Sequence, residues 1–247
     1  MQDGERDAVR PARGIWLDAG RVASVESMAQ LARYDGHTDW YENWNRPHAE
    51  RYMPQVQELF GPGEGLCLDL GCGSGHYLGA LAASGRTVVG LDYSADQLRV
   101  AHRRFRSIVR GDGAALPFGD ATFGAVATVW ISTDVDDFGA VLAEAARVLR
   151  PGGLLGCYGA HPCFNGPHIE WLDDGGVRTH PGYQQAGWHP AAPWWGPFVR
   201  ARVGMRQFPL ADLLNAFIRT GLVIEHAAET GDRSVPTILA LRARKPG

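Results

Sequence analysis

Lysine is almost absent from this chain, although basic residues as a class are not. Lys245 is the only lysine among 24 lysine and arginine residues. Reactions that use a lysine amine, as a Schiff-base nucleophile or as a general base, therefore have almost no candidate side chain. We interpret the excess of arginine as a compositional bias of the genome and not as an indication of function.

Cysteine is also scarce, and long apolar runs are missing. The four cysteines are Cys67, Cys72, Cys157 and Cys163, and no two of them form a C-x-x-C pair, so we expect no zinc or other metal site. No signal peptide is recognisable, and we therefore expect reduced thiols in the cytoplasm. No apolar run approaches the roughly 18 residues of a membrane span, so we expect no membrane partner.

A strong net charge is the third feature that the chain lacks. The formal net charge of −3 argues against a surface that coats nucleic acid. Hydrophobic residues make up 45% and charged residues 21%, a composition that supports a substantial core and opposes global disorder. The length of 247 residues fits one large domain or a domain with an elaborated cap, and it is compatible with a homodimer.

Three glycines at alternate positions follow a short apolar run. Leu66 to Leu70 predicts a buried strand, and residues 77–83 show the apolar spacing of a helix. Glycines between a parallel strand and a helix let a ligand approach the bare backbone at the helix start. An ordinary tight turn is the alternative interpretation.

The spacing Asp69-x-Gly71-x-Gly73-x-Gly75 distinguishes two ligand families. It resembles the first motif of the class I S-adenosylmethionine-dependent methyltransferases of the methyltransferase domain 11 type, and the resemblance extends over roughly residues 50–160. It differs from the G-x-G-x-x-G of dinucleotide folds, and an acid before the turn would repel a pyrophosphate. A nicotinamide-dependent oxidoreductase and a non-catalytic cofactor-binding protein remain the alternatives.

The resemblance implies a fold and a division of the chain. The fold is a Rossmann-like, doubly wound α/β domain with a seven-stranded sheet, its last strand antiparallel, an N-terminal helical lid and an insert after strand five. The implied segments are a leader and lid (1–60), a cofactor-binding core (61–160), a cap insert (161–205) and a C-terminal helix with the last two strands (206–247). Arg147 to Gly153, an R-V-L-x-P-G-G stretch, is typical of this topology, whereas Gly124 stands where the family usually has an acid.

The apolar spacing predicts further elements of the core. They are a strand from Val88 to Leu91 that ends in Asp92, a helix from Ala95 to Arg106, a helix from Phe138 to Leu149 and a strand from Leu154 to Tyr158. The insert shows no clear periodicity.

The resemblance also assigns S-adenosylmethionine as cofactor and implies contacts for it. Asp92, at the end of the second strand, would accept hydrogen bonds from the ribose hydroxyls, with a helix N-cap as the alternative role. The Asp112-Gly113 pair resembles the adenine-contacting motif, in a stretch that would also form an ordinary turn. The implied cofactor-binding residues are Asp69, Gly71, Gly73, Gly75, Asp92, Tyr93, Gln97, Asp112, Gly113, Val129 and Trp130.

Seven of the eight tryptophans lie outside the predicted sheet, in the leader, the lid and the insert. Residues 1 to about 22 mix charges with glycine and proline and predict a frayed leader, and a helix is predicted from Val25 to Tyr34. Residues 34–46 are aromatic and poorly periodic, and a helix is predicted for about Pro47 to Phe60. This region is either a lid or a packing flap. The insert is either the wall of an aromatic acceptor cavity or a cap packed on the sheet. We predict acceptor contacts for Tyr41, Trp44, Trp194 and Trp195.

The expected reaction is methyl transfer to a small molecule, an O- or N-methylation in secondary metabolism. Such a transfer needs an aligned nucleophile in a water-poor pocket, and a base if the acceptor is a hydroxyl or an ammonium. His161, after strand five, is the first candidate base, and Asp134, after strand four, is the second. The alternatives are a turn residue for His161 and a helix N-cap for Asp134.

Overall fold

The computed structural model describes residues 32–247. The predicted leader, residues 1 to about 22, lies outside the described residues, as does most of the predicted helix from Val25 to Tyr34. Within the described part, residues 33–37 form a turn. The prediction for the leader therefore stays a prediction.

The described residues form helices that alternate with strands through the first two thirds of the chain. The helices are α1 Thr38–Phe60, α2 Leu78–Ala83, α3 Ala95–Ala101, α4 Phe138–Val148, α5 Val199–Val203 and α6 Leu210–Arg219. The strands of the large sheet are β1 Leu66–Leu70, β2 Thr87–Asp92, β3 Ile108–Arg110, β4 Phe123–Val129, β5 Leu149–Ala160, β10 Val223–Thr230 and β11 Ile238–Arg244. Four short strands belong to the insert and its C-terminal border: β6 Ile169–Trp171, β7 Val177–Thr179, β8 Gly187–His189 and β9 Met205–Gln207.

The large sheet has seven strands in the order β10-β11-β5-β4-β1-β2-β3. Strand β1 pairs in parallel with β2 and with β4, so that Leu68 lies opposite Val89 and Val126. Strand β11 runs antiparallel to both β5 and β10, because only a loop joins β10 to β11. This arrangement confirms the predicted doubly wound α/β fold with a reversed last strand.

Alternate residues of the sheet enter two hydrophobic clusters, one on each face. Leu68 packs with Leu142 of α4 and Phe217 of α6. Its neighbour Cys67 points to the other face, where it packs with Phe60 of α1 and Leu81 of α2. Both faces of the parallel strands are therefore buried, and the carboxyl ends of β1, β2 and β4 meet at one edge.

Helix α1 begins nine residues earlier than predicted. The prediction treated 34–46 as irregular and started the helix at Pro47, but one helix runs from Thr38 with Pro47 and Pro54 inside it. Trp40, Trp44 and His48 are spaced four apart, and successive rings stack with centroids 5.9 Å and 4.4 Å apart. Proline is more typical of a first helical turn, which is why Pro47 was mistaken for the start.

Two other boundaries differ from the predictions. Helix α3 ends at Ala101, whereas the apolar spacing predicted that it would continue to Arg106. Strand β5 begins at Leu149 and not at Leu154, because Leu149 already pairs with Phe123 before an irregularity in the ladder. Gly124 lies inside β4, so the strand prediction is confirmed at the position where the family's acid is missing.

The insert, predicted to lack a regular pattern, contains two small antiparallel pairs. Strand β6 pairs with β7, and β8 pairs with β9. Three-residue strands are too short for an alternating pattern to be recognised in the sequence. None of the helices in the described range has the length and apolar composition needed to cross a bilayer.

Candidate cofactor and active site

A cavity of about 420 Å³ lies at the carboxyl ends of β1, β2 and β4. The glycine turn after β1, Asp92 at the end of β2, and Val129 and Trp130 at the end of β4 line one side of it. Residues of the turn at 32–37, Tyr41 of α1 and the loop before α4 line the other side. The volume falls in the range of small-molecule sites, and the position is where open α/β sheets bind ligands.

The three glycines of the turn have different roles. All have positive φ angles, 79° at Gly71, 53° at Gly73 and 84° at Gly75. A Cβ on Gly71 would lie 2.3 Å from a methyl group of Ile131, and one on Gly75 would contact Leu78 and Ala101. A Cβ on Gly73 would meet only the Gln97 side chain, at 3.7 Å, because this glycine faces the cavity. Gly73 is therefore the residue whose bare backbone a ligand can approach.

Asp92 lines the cavity and holds the glycine turn. Its Oδ2 accepts a hydrogen bond from the Gly73 N–H at 2.8 Å, and its Oδ1 accepts one from the Ser94 N–H at 2.8 Å. The N-cap of α3 is Ser94, whose Oγ accepts from the Gln97 N–H at 3.1 Å. The N-cap alternative for Asp92 was therefore wrong. Burial raises the pKa of Asp92, and the two backbone N–H groups oppose that effect.

Two polar side chains beside the cavity are buried without hydrogen-bond partners in the described part of the chain. Asp69 is 1% exposed, and its Oδ2 is unpaired. Burial, together with the nearby Asp92 charge, raises the pKa of Asp69 to about 7. Gln97, which is 2% exposed and lines the cavity, leaves both its amide oxygen and its amide nitrogen unpaired. Such groups are expensive to bury, and a polar ligand would satisfy them.

The remaining predicted contacts lie at the same edge. Asp112, Gly113 and Tyr93 line the cavity, and Asp112 Oδ1 accepts a hydrogen bond from the Ala114 N–H at 2.8 Å. Trp130 adopts a left-handed φ of 65°, rare for a bulky residue, and its indole N–H donates to the Tyr77 hydroxyl at 3.0 Å. Of the eleven predicted cofactor residues, only Asp69 and Gly75 are not part of the cavity lining.

Comparison with known proteins agrees with this geometry. A family model described as "Methyltransferase domain" matches residues 68–157. A demethylmenaquinone methyltransferase from Corynebacterium kroppenstedtii is 38% identical over 112 residues, 45% of this chain and 46% of that protein. One from Mycobacterium marinum is 43% identical over 95 residues, 38% of this chain and 41% of that protein. The chain thus spans about half the length, or less, of these curated relatives.

Solved structures resemble a larger part of the chain. An S-adenosylmethionine-dependent methyltransferase from Mesorhizobium loti aligns with a TM-score of 0.66 at 22% identity, covering 78% of this chain and 97% of the other. A putative methyltransferase of the same kind from Listeria monocytogenes aligns with a TM-score of 0.62 at 16% identity, covering 81% and 99%. At these identities the likeness concerns the fold alone.

The glycine motif, the fold and the family match agree. Residues 68–157 match the methyltransferase domain family, and the fold is the one that solved S-adenosylmethionine-dependent methyltransferases have. The cofactor of this family is S-adenosylmethionine, and the polar groups at the cavity fit it. Asp92 would offer carboxylate oxygens to a pair of hydroxyls, and Asp112 and Gly113 would offer an acceptor and an N–H to a base. The Asp69 carboxyl, whose pKa is raised to about 7, would ionise beside an ammonium group.

Two half-buried tyrosines belong to the opposite wall of the cavity. Tyr34 and Tyr41 both line it, and their rings meet edge to face with centroids 4.8 Å apart. The Tyr34 hydroxyl lies 3.3 Å from Asp134 Oδ2 and donates to it. Burial, and then the charge of Asp134, raise the pKa of both tyrosine hydroxyls. Both are therefore neutral hydrogen-bond donors at ordinary pH.

Asp134, the second candidate base, lines the cavity but is already paired. Its Oδ1 forms an ion pair with Arg200 of α5, and its backbone oxygen accepts from Arg33 at 2.7 Å. The N-cap of α4 is Asp137, whose Oδ1 accepts from the Ala140 N–H at 3.0 Å. The N-cap alternative for Asp134 was therefore wrong, and its role at the cavity remains a prediction.

His161, the first candidate base, does not line the cavity. Its ring is 1% exposed, with Nε2 at 2.7 Å from Glu229 Oε1 and Nδ1 accepting from the Cys163 N–H at 3.1 Å. Its backbone oxygen accepts from the Asn165 N–H at 2.9 Å, as the turn alternative expects. Both ring nitrogens are occupied away from the cofactor residues, so the geometry gives a catalytic role for His161 no support.

Of the four residues predicted to contact the acceptor, one lines the cavity and three do not. Tyr41 lines the cavity, whereas Trp44 stacks on its neighbours along α1. Trp194 stacks on His180 with ring centroids 3.7 Å apart, and neither it nor Trp195 lines the cavity. Three residues at the site were not predicted from the sequence: Tyr34, Arg33 and Arg200. Tyr34 stands seven residues before Tyr41, a helical spacing that could have pointed to it, whereas no pattern marks the two arginines.

Proposed function

We propose that this protein transfers the methyl group of S-adenosylmethionine to a small-molecule acceptor. The observation that carries the proposal is a single cavity shared by two sets of residues. Gly73, Asp92 and Gln97 face it from the family-matched domain, and Tyr34 and Tyr41 face it from the lid side. A cofactor held by the first set would therefore present its reactive end within a space that the lid closes.

Bound S-adenosylmethionine supplies an activated methyl group on a positively charged sulfur. The protein has to bind the cofactor and the acceptor, align them with each other and exclude water from the cavity. Asp92 and the Gly73 backbone fix the cofactor end of the cavity, and the Asp112 turn fixes the base. Tyr34 and Tyr41 keep water out and present hydroxyl groups to an acceptor. Asp134, held by Arg200 and Tyr34, is the acidic group that we assign to orient the acceptor.

The acceptor atom is proposed to be oxygen or nitrogen, in a compound of secondary metabolism. The curated relatives described above are named for demethylmenaquinone, but their similarity covers only part of this chain. The family match ends at residue 157, and the lid and the insert lie outside it. Because the lid residues Arg33, Tyr34 and Tyr41 line the side of the cavity that we assign to the acceptor, we do not transfer the relatives' acceptor to this protein.

Methyl transfer is tested directly with labelled S-adenosylmethionine and a panel of hydroxyl, amine and quinone-type acceptors. We expect turnover with a hydroxyl or amine acceptor. Asp134→Asn should lower kcat at least about tenfold while the cofactor Kd stays within about threefold. Asp136→Asn is the matched control, because Asp136 also lines the cavity but pairs with Arg33 on an exposed edge.

Unchanged kcat in Asp134→Asn would contradict the role given to Asp134. Turnover with the quinone acceptors alone would contradict the oxygen or nitrogen assignment. The second candidate function is S-adenosylmethionine binding without transfer, and it is favoured by one observation. Both candidate bases are already engaged, Asp134 by Arg200 and His161 by Glu229. Tight cofactor binding with no labelled product from any acceptor would support this candidate.

The remaining partner assignments belong to the same proposal. We propose a cytoplasmic protein without nucleic-acid or membrane partners, because the net charge is only −3 and the four thiols are unpaired. A homodimer stays a prediction, which light scattering coupled to size-exclusion chromatography would check.

A further inference from the structure

Helix α1 is held to the protein in two different ways on either side of Pro47. After Pro47, its buried side chains are apolar and belong to the hydrophobic cluster on that face of the sheet: Ala49, Val56, Leu59 and Phe60. Before Pro47, its buried side chains are Thr38 and Glu42. Among the described residues of α1, none before Pro47 belongs to either hydrophobic cluster. The first half is therefore anchored mainly by polar contacts.

Glu42 is the centre of these contacts. It is 8% exposed, and both of its carboxylate oxygens accept hydrogen bonds from the guanidinium of Arg104, which follows α3. Nε2 of His76 lies 3.0 Å from Glu42 Oε2. Burial raises the pKa of Glu42, but the hydrogen bonds from Arg104 and the neighbouring positive charges lower it to about 2. The carboxylate is thus charged at any working pH and depends on its partners.

The same partners hold the glycine turn. Arg104 Nη1 also donates to the backbone oxygen of Ser74 at 2.6 Å, and His76 follows the last glycine of the motif. Ser74 is the residue after Gly73, whose N–H is bound to Asp92. One guanidinium therefore connects the first half of α1 to the turn that a cofactor must approach. Tyr41, next to Glu42 in the helix, lines the cavity on the other side.

We propose that Glu42 is a positioning residue of the cofactor site. It acts through Arg104, so that the packing of the first half of α1 against the protein is coupled to the conformation of the glycine turn. This inference rests on the proposed use of S-adenosylmethionine. When Glu42 is paired, the turn and the lid are held together, and a bound cofactor is enclosed. When the ion pair between Glu42 and Arg104 is lost, the part of α1 before Pro47 becomes mobile. The mobility ends at Pro47, because proline lacks the N–H that would form the helical hydrogen bond there. The turn then loses the Arg104 contact to Ser74.

The test measures S-adenosylhomocysteine binding by titration calorimetry with the full chain. Glu42→Gln keeps the size of the side chain and removes the charge, and its Kd should rise at least tenfold. Glu50→Gln, an exposed change on the same helix, should stay within twofold. Arg104→Lys keeps the positive charge but cannot reach both Ser74 and the carboxylate, so it should weaken binding as well. The exposed Arg103→Lys is its control. The double variant should be little worse than either single one.

Hydrogen exchange separates positioning from mere stabilisation. In the wild type, S-adenosylhomocysteine should protect residues 38–46 and 71–77 together. In Glu42→Gln, saturating ligand should still protect 71–77 but should no longer protect 38–46, and 49–60 should be unchanged. A Glu42→Gln protein that folds less stably but binds within twofold of the wild type overturns the inference, as does additive loss in the double variant. If Glu42→Gln fails to fold, Arg104→Lys decides by the same readouts. Absence of binding by the wild type would overturn the proposed function itself.

Discussion

At the scale of single residues, neighbouring glycines in one motif carry different constraints. Gly71 and Gly73 both have positive φ angles, but a Cβ at Gly71 would strike Ile131, whereas a Cβ at Gly73 would project into the cavity. The first glycine is thus required by packing, whereas the second faces the cavity, where we predict that it contacts the ligand. A sequence motif shows both as the same letter, and only the surroundings of each Cβ separate them.

The two glycines can be distinguished by alanine. Gly71→Ala should destabilise the protein by about 2–4 kcal/mol, because a left-handed backbone and an overpacked contact add. Gly73→Ala should lower the free energy of unfolding by only about 1–2 kcal/mol, because only its left-handed backbone is strained. The same change should weaken S-adenosylhomocysteine binding at least tenfold. Urea unfolding and calorimetry check both values. Equal losses of stability, or intact binding in Gly73→Ala, would contradict the assignment.

The buried carboxyl of Asp69 should make the stability of the fold depend on pH. Its pKa is raised to about 7 by burial and by Asp92, whereas an unfolded aspartate titrates near 4. Below pH 4 the side chain is neutral in both states and costs nothing. As the pH rises from about 4 to 7, the unfolded state loses its proton first, so this group destabilises the fold by up to about 1.4 kcal/mol per pH unit.

The expected result is that Asp69→Asn gains stability relative to the wild type as the pH increases from 4 to 7, without ligand. Urea midpoints at several pH values would measure it. Asp173→Asn, at an exposed position in the insert, is the control and should show no such trend. A constant difference between Asp69→Asn and the wild type across this range would mean that the Asp69 carboxyl is ionised in the folded protein throughout.

At the scale of elements, the sequence predicted the regular parts of the sheet and missed the parts set by side-chain contacts. The strand of Asp92 and the helix from Phe138 were predicted within a residue, because apolar runs and caps are local features. The start of α1 was wrong because its anchor, Glu42, finds its partners Arg104 and His76 far along the chain. Likewise, no local pattern could indicate that Arg200 reaches Asp134 across 66 residues.

The insert and the N-terminal segment contact each other through two pairs of an arginine and a tryptophan. Arg33 lies 3.8 Å over the ring of Trp188, and Arg202 lies 4.2 Å over the ring of Trp40. Each element thus supplies one cation and one aromatic ring to the other. The tryptophans outside the sheet, whose role the sequence left open, therefore include two that join the lid to the insert.

Trp194 and Trp195 test what the rest of the insert does. Trp194 packs on His180, and neither residue lines the cavity. Changing both to alanine should leave the cofactor Kd within about threefold, because no cofactor residue contacts them in the described structure. If the acceptor reaches the insert, its KM should rise at least tenfold. An unchanged KM, together with a lower thermal midpoint, would assign both residues to packing alone.

At the scale of the whole molecule, the chain joins a family-matched segment, residues 68–157, to segments that the match does not cover. The matched segment supplies the cofactor edge of the cavity, and Arg33, Tyr34 and Tyr41 of the lid line the other side. This division explains why the cofactor could be predicted from the sequence and the acceptor could not. The predicted cofactor residues lie in short motifs, whereas the opposite wall contains Tyr34 and Tyr41, which are distant from those motifs in the sequence.

The whole chain should therefore be stabilised by S-adenosylmethionine and not by a nicotinamide dinucleotide. A ligand present at about 100 times its Kd adds about 2.7 kcal/mol, which for a protein of this size raises the melting temperature by roughly 5–10 °C. NAD or NADP should give no comparable shift, because the buried carboxyl of Asp69 beside the glycine turn disfavours a pyrophosphate. Gly73→Ala should lose most of the shift while remaining folded. A larger shift with a dinucleotide than with S-adenosylmethionine would instead favour the oxidoreductase alternative, even though the fold would be the same.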